Sequence, residues 1–421
     1  MAGGDNRIRV ADGVDRISEL PVHLREHILG CLSIKDAVAT SVLSSKMKFC
    51  WTGLRTLIFD WEFWGCYGDN ELVEHARAID RVLMLHSGPI HEFTLRIPEI
   101  KDTTLDINAW LHVLSNNGVQ NIDIGASDFE DSTFPIPSSL FHCRLLEKLC
   151  LFNCKITLPS EFKGCANLKS LSLDNVDIAS SLLGSLISGC VLIETLSLTE
   201  FVLEEPLTLE ALNLKTFYFD GLGVGKIIFK DIPKLTCVTL LSTGEGCKIK
   251  SYNTLNQLCS LYKIEELTFD CHLLEPLSQN FPSITPTPLE NLKTLTMKCV
   301  DLYVPDDILF TLYLMRTAPN LQNLTIHLES ITVELYAQSK KLQGLAAELL
   351  KSEATKHTSC SSLQTINIRG IEDLQHEILL IELLKKRCQK LNVGTKMPRF
   401  KRSHQVTNMI RINKIVNLWN M

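Results

Sequence analysis

Leu292-Lys293-Thr294-Leu295-Thr296-Met297-Lys298-Cys299-Val300-Asp301-Leu302 carries a spacing of apolar residues that recurs along most of the 421-residue chain. Written as apolar-x-x-apolar-x-apolar, the unit starts at Ile90, Val119, Leu146, Leu168, Ile193, Leu214, Leu235, Ile264, Leu292, Leu321 and Leu363, eleven copies in all. Alternation at the fourth and sixth positions, as in Leu171/Leu173, Leu196/Leu198 and Leu295/Met297, describes a short strand with one buried face. A lone strand of this kind cannot bury its apolar row, so neighbouring copies must stack and share one elongated core.

Successive units lie 21 to 29 residues apart until a last gap of 42, the period of leucine-rich repeats and not of helical-pair arrays. The common consensus places Asn or Cys at the ninth position, and Cys154 alone obeys it. Val176, Phe201, Leu222 and Val300 fill that slot elsewhere, while Ile156, Ile178, Leu203, Val224, Leu274 and Leu302 keep the eleventh position apolar. The expected fold class is therefore α/β: an irregular solenoid with a parallel strand ladder and helices or loops on its convex side.

The chain is 45% hydrophobic and 21% charged, the mark of a soluble folded protein. Its formal net charge of −6 supplies no general field for nucleic acid. Neither an apolar N-terminal run nor a stretch of about 18 uninterrupted apolar residues is present, which argues against a signal peptide and a membrane span and for cytoplasm or nucleus. Fifteen cysteines contain no Cys-x-x-Cys pair, and several fall where repeats bury small residues. They read as reduced core thiols, not as a disulfide or zinc framework.

Ahead of the repeats, Pro21 suits a helix start, and Leu24, Ile28 and Leu32 recur at helical spacing with Leu29 widening the stripe. Ser33 followed by Asp36 resembles a capping box that opens a second helix running through Leu43. So small a helical module buries little by itself, and an apolar surface left on it asks for another protein. This stretch resembles a plant F-box in Asp15-Arg16-Ile17-Ser18, Leu20-Pro21, His27-Ile28-Leu29, Leu32, Lys35-Asp36-Ala37-Val38, Thr40-Ser41-Val42-Leu43-Ser44 and Trp51-Thr52. The resemblance implies docking on a Skp-like adaptor and, through it, on a cullin and RING ligase core, with Leu20, Pro21, Ile28, Leu29, Leu32, Leu43 and Trp51 as contact or support. Ser45-Lys46-Met47 departs from the family's usual Lys-Arg-Trp, and a tryptophan restored at Met47 should strengthen docking if that position lies at the interface.

The chain then divides into a flexible start (1–14), the F-box (15–60), a helical bridge or cap (61–89), repeats (90–331), a helical insertion (332–362), a terminal repeat (363–393) and a tail (394–421). Leu72, Ala76, Ile79, Val82 and Leu83 mark the bridge helix, Ser180 to Ile187 a convex helix, and Pro135-Ile136-Pro137 and Pro282 to Pro288 loops. Leu363 to Leu384 resembles the start of the FBD segment that follows leucine-rich repeats in a large plant F-box class. Clusters of Lys and Arg within Lys385 to Arg402 read as a solvated helix end and tail in preference to a nuclear address.

Catalytic motifs are weak. His23-Leu24-Arg25-Glu26-His27 fits the spacing of an inverted zincin, yet no third ligand accompanies it. Gly221, Gly223, Gly225 and Lys226 lack the spacing of a phosphate loop and read as the turn leaving a strand at Phe217 to Phe219. No cofactor or metal is expected, and the chain reads as a non-catalytic subunit. The leading function is the substrate receptor of an SCF-type ubiquitin ligase. The alternatives are a repeat scaffold with a degenerate F-box and, far behind, a zinc hydrolase.

The residue after each sixth position points away from the core and should line the concave face. That ladder reads Arg96, Gly125, Phe152, Asp174, Thr199, Asp220, Leu241, Asp270, Lys298, His327 and Arg369, with Tyr218 alongside. A protein target should meet an acidic stretch and then a basic one.

Overall fold

The structure is a computed structural model that describes residues 15–65, 69–98, 105–127, 133–223, 226–241, 263–270, 289–302, 305–328, 348, 351, 362–370, 375–385 and 391–393. It falls into two compact units, residues 1–168 and 169–421. The expected insertion at 332–362, the Pro282 to Pro288 loop and the 394–421 tail lie almost wholly outside the described residues.

The first unit opens with α1 (Val22–Leu29) and α2 (Ile34–Ala39), where the Ser33 hydroxyl accepts from the Asp36 amide at 3.1 Å and donates to its carboxylate at 2.8 Å. The second helix stops at Ala39 and tightens into a 3-10 turn at Thr40–Val42, short of the expected Leu43. Then come β1 (Thr56–Phe59), α3 (Trp61–Trp64), α4 (Asp69–Leu85), β2 (Glu92–Ile97), α5 (Ile107–Asn116), β3 (Asn121–Ala126), β4 (Phe134–Ile136), β5 (Lys148–Phe152) and β6 (Cys154–Ile156). Strands β1, β2, β3 and β5 pair in parallel, with rungs Leu57, Phe93, Ile122, Leu149 and Phe59, Leu95, Ile124, Leu151 in register and buried.

β1 is a copy of the unit that the repeat count passed over: Leu54-Arg55-Thr56-Leu57-Ile58-Phe59 has the same three apolar positions. The sheet thus begins inside the F-box stretch. The helices expected to cap its end, α3 and α4, instead connect β1 to β2, with Ala76, Ile79, Val82 and Leu83 buried. Trp110 of α5 donates its indole N–H to Asp80 of α4 at 2.6 Å. Pro135, expected in a loop, lies in β4, which pairs with β6 in a two-stranded side sheet. An edge position tolerates the missing proline N–H.

The second unit contains β7 (Ser170–Asp174), α6 (Ser180–Gly189), β8 (Thr195–Val202), β9 (Leu207–Glu210), β10 (Thr216–Leu222), β11 (Ile227–Lys230), β12 (Cys237–Leu241), β13 (Glu266–Asp270) and β14 (Thr294–Val300). These are followed by α7 (Pro305–Thr317), β15 (Asn323–Leu328), β16 (Thr365–Arg369), α8 (Gln375–Lys385) and β17 (Leu391–Val393). Strands β7, β8, β10, β12, β13, β14, β15, β16 and β17 form the ladder in that order, and β9 and β11 pair beside it. β17 is a further copy, Cys388-Gln389-Lys390-Leu391-Asn392-Val393, whose Leu391 and Val393 register with Ile366 and Ile368.

Two devices recur. Asn153, Asn175, Glu200, Cys299 and Gly370 occupy the eighth position of their repeats, and all have left-handed φ, between +47° and +81°. A left-handed residue ends or bulges the strand, and Asn and Gly reach that region at low cost. Asparagines one residue before a repeat tie it to the previous one: Asn167 donates to the Arg144 carbonyl at 2.8 Å, Asn213 to Val191 at 2.8 Å and Asn320 to Glu290 at 2.7 Å.

The glycines after Phe219 have two separate reasons. Gly221 sits in β10 opposite a bulge, where a Cβ would collide with the Phe201 backbone, whereas Gly223 has φ +90°. Positive φ, expected for the whole turn, accounts only for the second.

Candidate functional site

Two surfaces are candidates. On the helical module, Leu29, Ile34, Ala37, Met47, Cys50, Trp51 and Leu54 form the core. Leu29 and Trp51 therefore support the module from within and offer nothing to a partner. Met47 is 3% exposed, so it does not lie at a surface where tryptophan could add contact. Leu20 is half-buried and Pro21 exposed at the N-cap of α1. The stripe Leu24, Ile28 and Leu32 stays exposed, and so do Ile17, Val22, Val42 at 87%, Leu43 at 72% and Phe49 at 64%. So many large apolar side chains left in water on so small a module are the composition of a docking surface. Sequence spacing identified part of it. Val42 and Phe49 were missed because they sit in a 3-10 helix and in the turns that follow it, which have no apolar periodicity.

The module is joined to the sheet without a free linker. Ser87 donates to the Thr52 carbonyl at 2.8 Å, and the His86 ring bonds the Leu54 carbonyl at 2.7 Å; inside the module, buried Arg25 donates to the Lys46 carbonyl. The zincin-like trio is not assembled for a metal. Glu26 lies against Gly53, where a Cβ would meet its Oε1 at 2.6 Å, and among the described residues no three His, Cys, Asp or Glu are grouped to hold an ion.

The open strand face is the second surface. In the first unit Arg96, Gly125 and Phe152 share a rung. Arg96 is not free: it forks onto Asp123 at 2.7 and 2.9 Å, and this bond raises its already high pKa further. Gly125 leaves room between the flanking side chains, since a Cβ there would meet Phe152 at 3.1 Å and Arg96 at 3.4 Å. Asp123 is a fifth-position residue, so pairing fifth and seventh positions of adjacent repeats would have found this contact.

In the second unit Asp174, Thr199, Asp220 and Leu241 share a rung. Asp174 is held above the usual carboxylate range by burial, then by Glu200 and Asp220. Tyr218 is pushed up by burial and by Asp220, to which its hydroxyl donates at 3.4 Å. The other Asp220 oxygen, Oδ1, is buried with no hydrogen-bond partner among the described residues. Glu200, the third acid, escaped the ladder because a bulge inserts it between rungs. Leu241 and Asp270 are each 6% exposed, so burial removes both from the contact set that the ladder predicted. Lys298, His327 and Arg369 close the row on β14, β15 and β16, and burial, Arg369 and Lys298 together hold the His327 ring below its ordinary range.

A family model for the F-box domain matches residues 17–59, and one described as FBD-associated F-box protein At5g56370, LRR repeats, matches residues 107–326. The F-box/FBD/LRR-repeat protein At1g13570 of Arabidopsis thaliana is 32% identical over 383 residues, which cover 89% of each chain. The chain belongs to the F-box/FBD/LRR-repeat family. A second such protein of that plant, At4g00160, is 34% identical over 200 residues, 46% of this chain and 43% of its own. As an F-box/FBD/LRR-repeat protein the chain pairs an F-box module with a repeat sheet. No helix among its described residues is long and apolar enough to cross a membrane.

Proposed function

We propose that this F-box/FBD/LRR-repeat protein is the substrate receptor of an SCF-type ubiquitin ligase. The observation that carries the reading is the exposed apolar surface of Leu24, Ile28, Leu32, Val42, Leu43 and Phe49 on a module bonded directly to the repeats. A Skp-like adaptor covers that surface and connects the chain to a cullin and RING core, while the open strand face holds a protein target. The receptor performs no covalent step. Holding the target on the chain that the adaptor carries keeps a target lysine near the ubiquitin carrier, and a high effective concentration then drives transfer.

The test is co-purification of the full chain with a Skp-like adaptor. Ile28→Asp with Leu43→Asp places two charges in the apolar surface without touching the module core, and adaptor binding is expected to vanish while thermal unfolding is unchanged. Binding that persists in the double variant, or is absent from the wild type, leaves a repeat scaffold as the better reading.

A further inference from the structure

The apolar surface of the helical module continues past residue 59, where the F-box match ends. Helix α4 buries Ala76, Ile79, Val82 and Leu83, yet its last turn leaves Met84 82% and Leu85 57% exposed. Among the described large apolar side chains only Val42, on the module itself, is more exposed than Met84. The side of a surface helix that faces water normally carries polar residues, so two adjacent large apolar ones at its end call for a cover.

Hydrogen bonds place this turn beside the module. The Ser87 amide donates to the Thr52 carbonyl at 2.8 Å, the Ser87 and Thr52 hydroxyls meet at 2.9 Å, and the His86 ring bonds the Leu54 carbonyl at 2.7 Å. The Thr52 hydroxyl in turn donates to the Phe49 carbonyl at 2.8 Å, and the Ser41 hydroxyl donates to the Lys48 carbonyl at 3.0 Å. Exposed Val42 and Leu43, exposed Phe49 and the end of α4 are thereby tied in sequence within one compact unit. A partner seated on the first two is carried by that continuity onto the third.

We propose that Met84 and Leu85 form a second contact for the Skp-like adaptor, outside the F-box, an inference that rests on the receptor reading. The adaptor meets them with an apolar surface, to which the unbranched methionine adapts. Gripping a helix that leads into β2, as well as the module, holds the first unit's strands at one angle to the adaptor.

The test measures adaptor affinity for the full chain. Met84→Asp with Leu85→Asp is expected to weaken binding about tenfold, the worth of one apolar side chain taken out of water. Met84→Gln with Leu85→Gln, which adds no charge, should weaken it in the same direction, and thermal unfolding should not move. Leu145→Asp is the control, on a residue 52% exposed ahead of β5, three strands from β1, and should bind as the wild type does. A photo-crosslinker, p-benzoylphenylalanine, in place of Met84 should couple to the adaptor. Wild-type affinity in both double variants, an equal loss in Leu145→Asp, or no crosslink overturns the second contact and spares the receptor reading. No adaptor binding by the wild type removes the receptor reading and this contact with it.

Discussion

Asp174 shows how the open strand face strains the fold at the scale of one residue. Burial and the neighbouring Glu200 and Asp220 raise its folded pKa above the unfolded value. The protonated form is therefore the one that folding favours, and stability is lost as pH rises from the ordinary carboxylate range through the raised pKa. Asp174→Asn should raise the melting temperature at pH 7, with the gain shrinking as pH falls through the raised pKa towards about 4. A gain that grows on acidification would contradict the assignment. Met47 makes the opposite case, a residue whose family position suggests an interface and whose surroundings are core. Met47→Trp overpacks that core and should cost about 1–3 kcal/mol in chemical denaturation, so adaptor binding should weaken with the fold instead of improving.

Among the elements, the pairing of β8 with β10 depends most on one side chain being absent. A Cβ on Gly221 would meet the Phe201 amide nitrogen at 2.8 Å and its carbonyl carbon at 2.9 Å, both backbone atoms that no rotamer change can move. Gly221→Ala should destabilise the chain by roughly 1–3 kcal/mol. Hydrogen exchange should quicken first at Thr195–Val202 and Thr216–Leu222, and unaltered exchange there would show that the bulge relaxes freely. The same bulge places Glu200 beside Asp174, so the device that breaks the ladder also builds the acidic end of the open face.

At the scale of the whole molecule, docking and target capture are proposed for separate surfaces and should respond to separate changes. Asp174→Lys with Asp220→Lys is expected to abolish target capture and leave adaptor binding intact, whereas Lys163→Glu, on an exposed residue off that face, should affect neither. Equal loss from both sets would remove the strand face as the receptor site. Apolar residues at the first, fourth and sixth positions were enough to determine, from residues alone, that parallel strands stack, because a strand cannot bury an alternating row without neighbours. The same rule applied to Leu54 and Cys388 reaches β1 and β17, although Leu54 sits inside a helical motif and Cys388 follows a basic run. Only tertiary structure decided which face of the helical module is core. Leu29 and Ile28 are equally apolar and adjacent, yet one is buried and the other 42% exposed. It also decided that Arg96 is spent on Asp123, that Asp270 is covered, and that Lys298, His327 and Arg369 converge. Side-chain periodicity says which way a residue points, but charge pairing and burial depend on residues tens of positions away that only the folded sheet brings alongside.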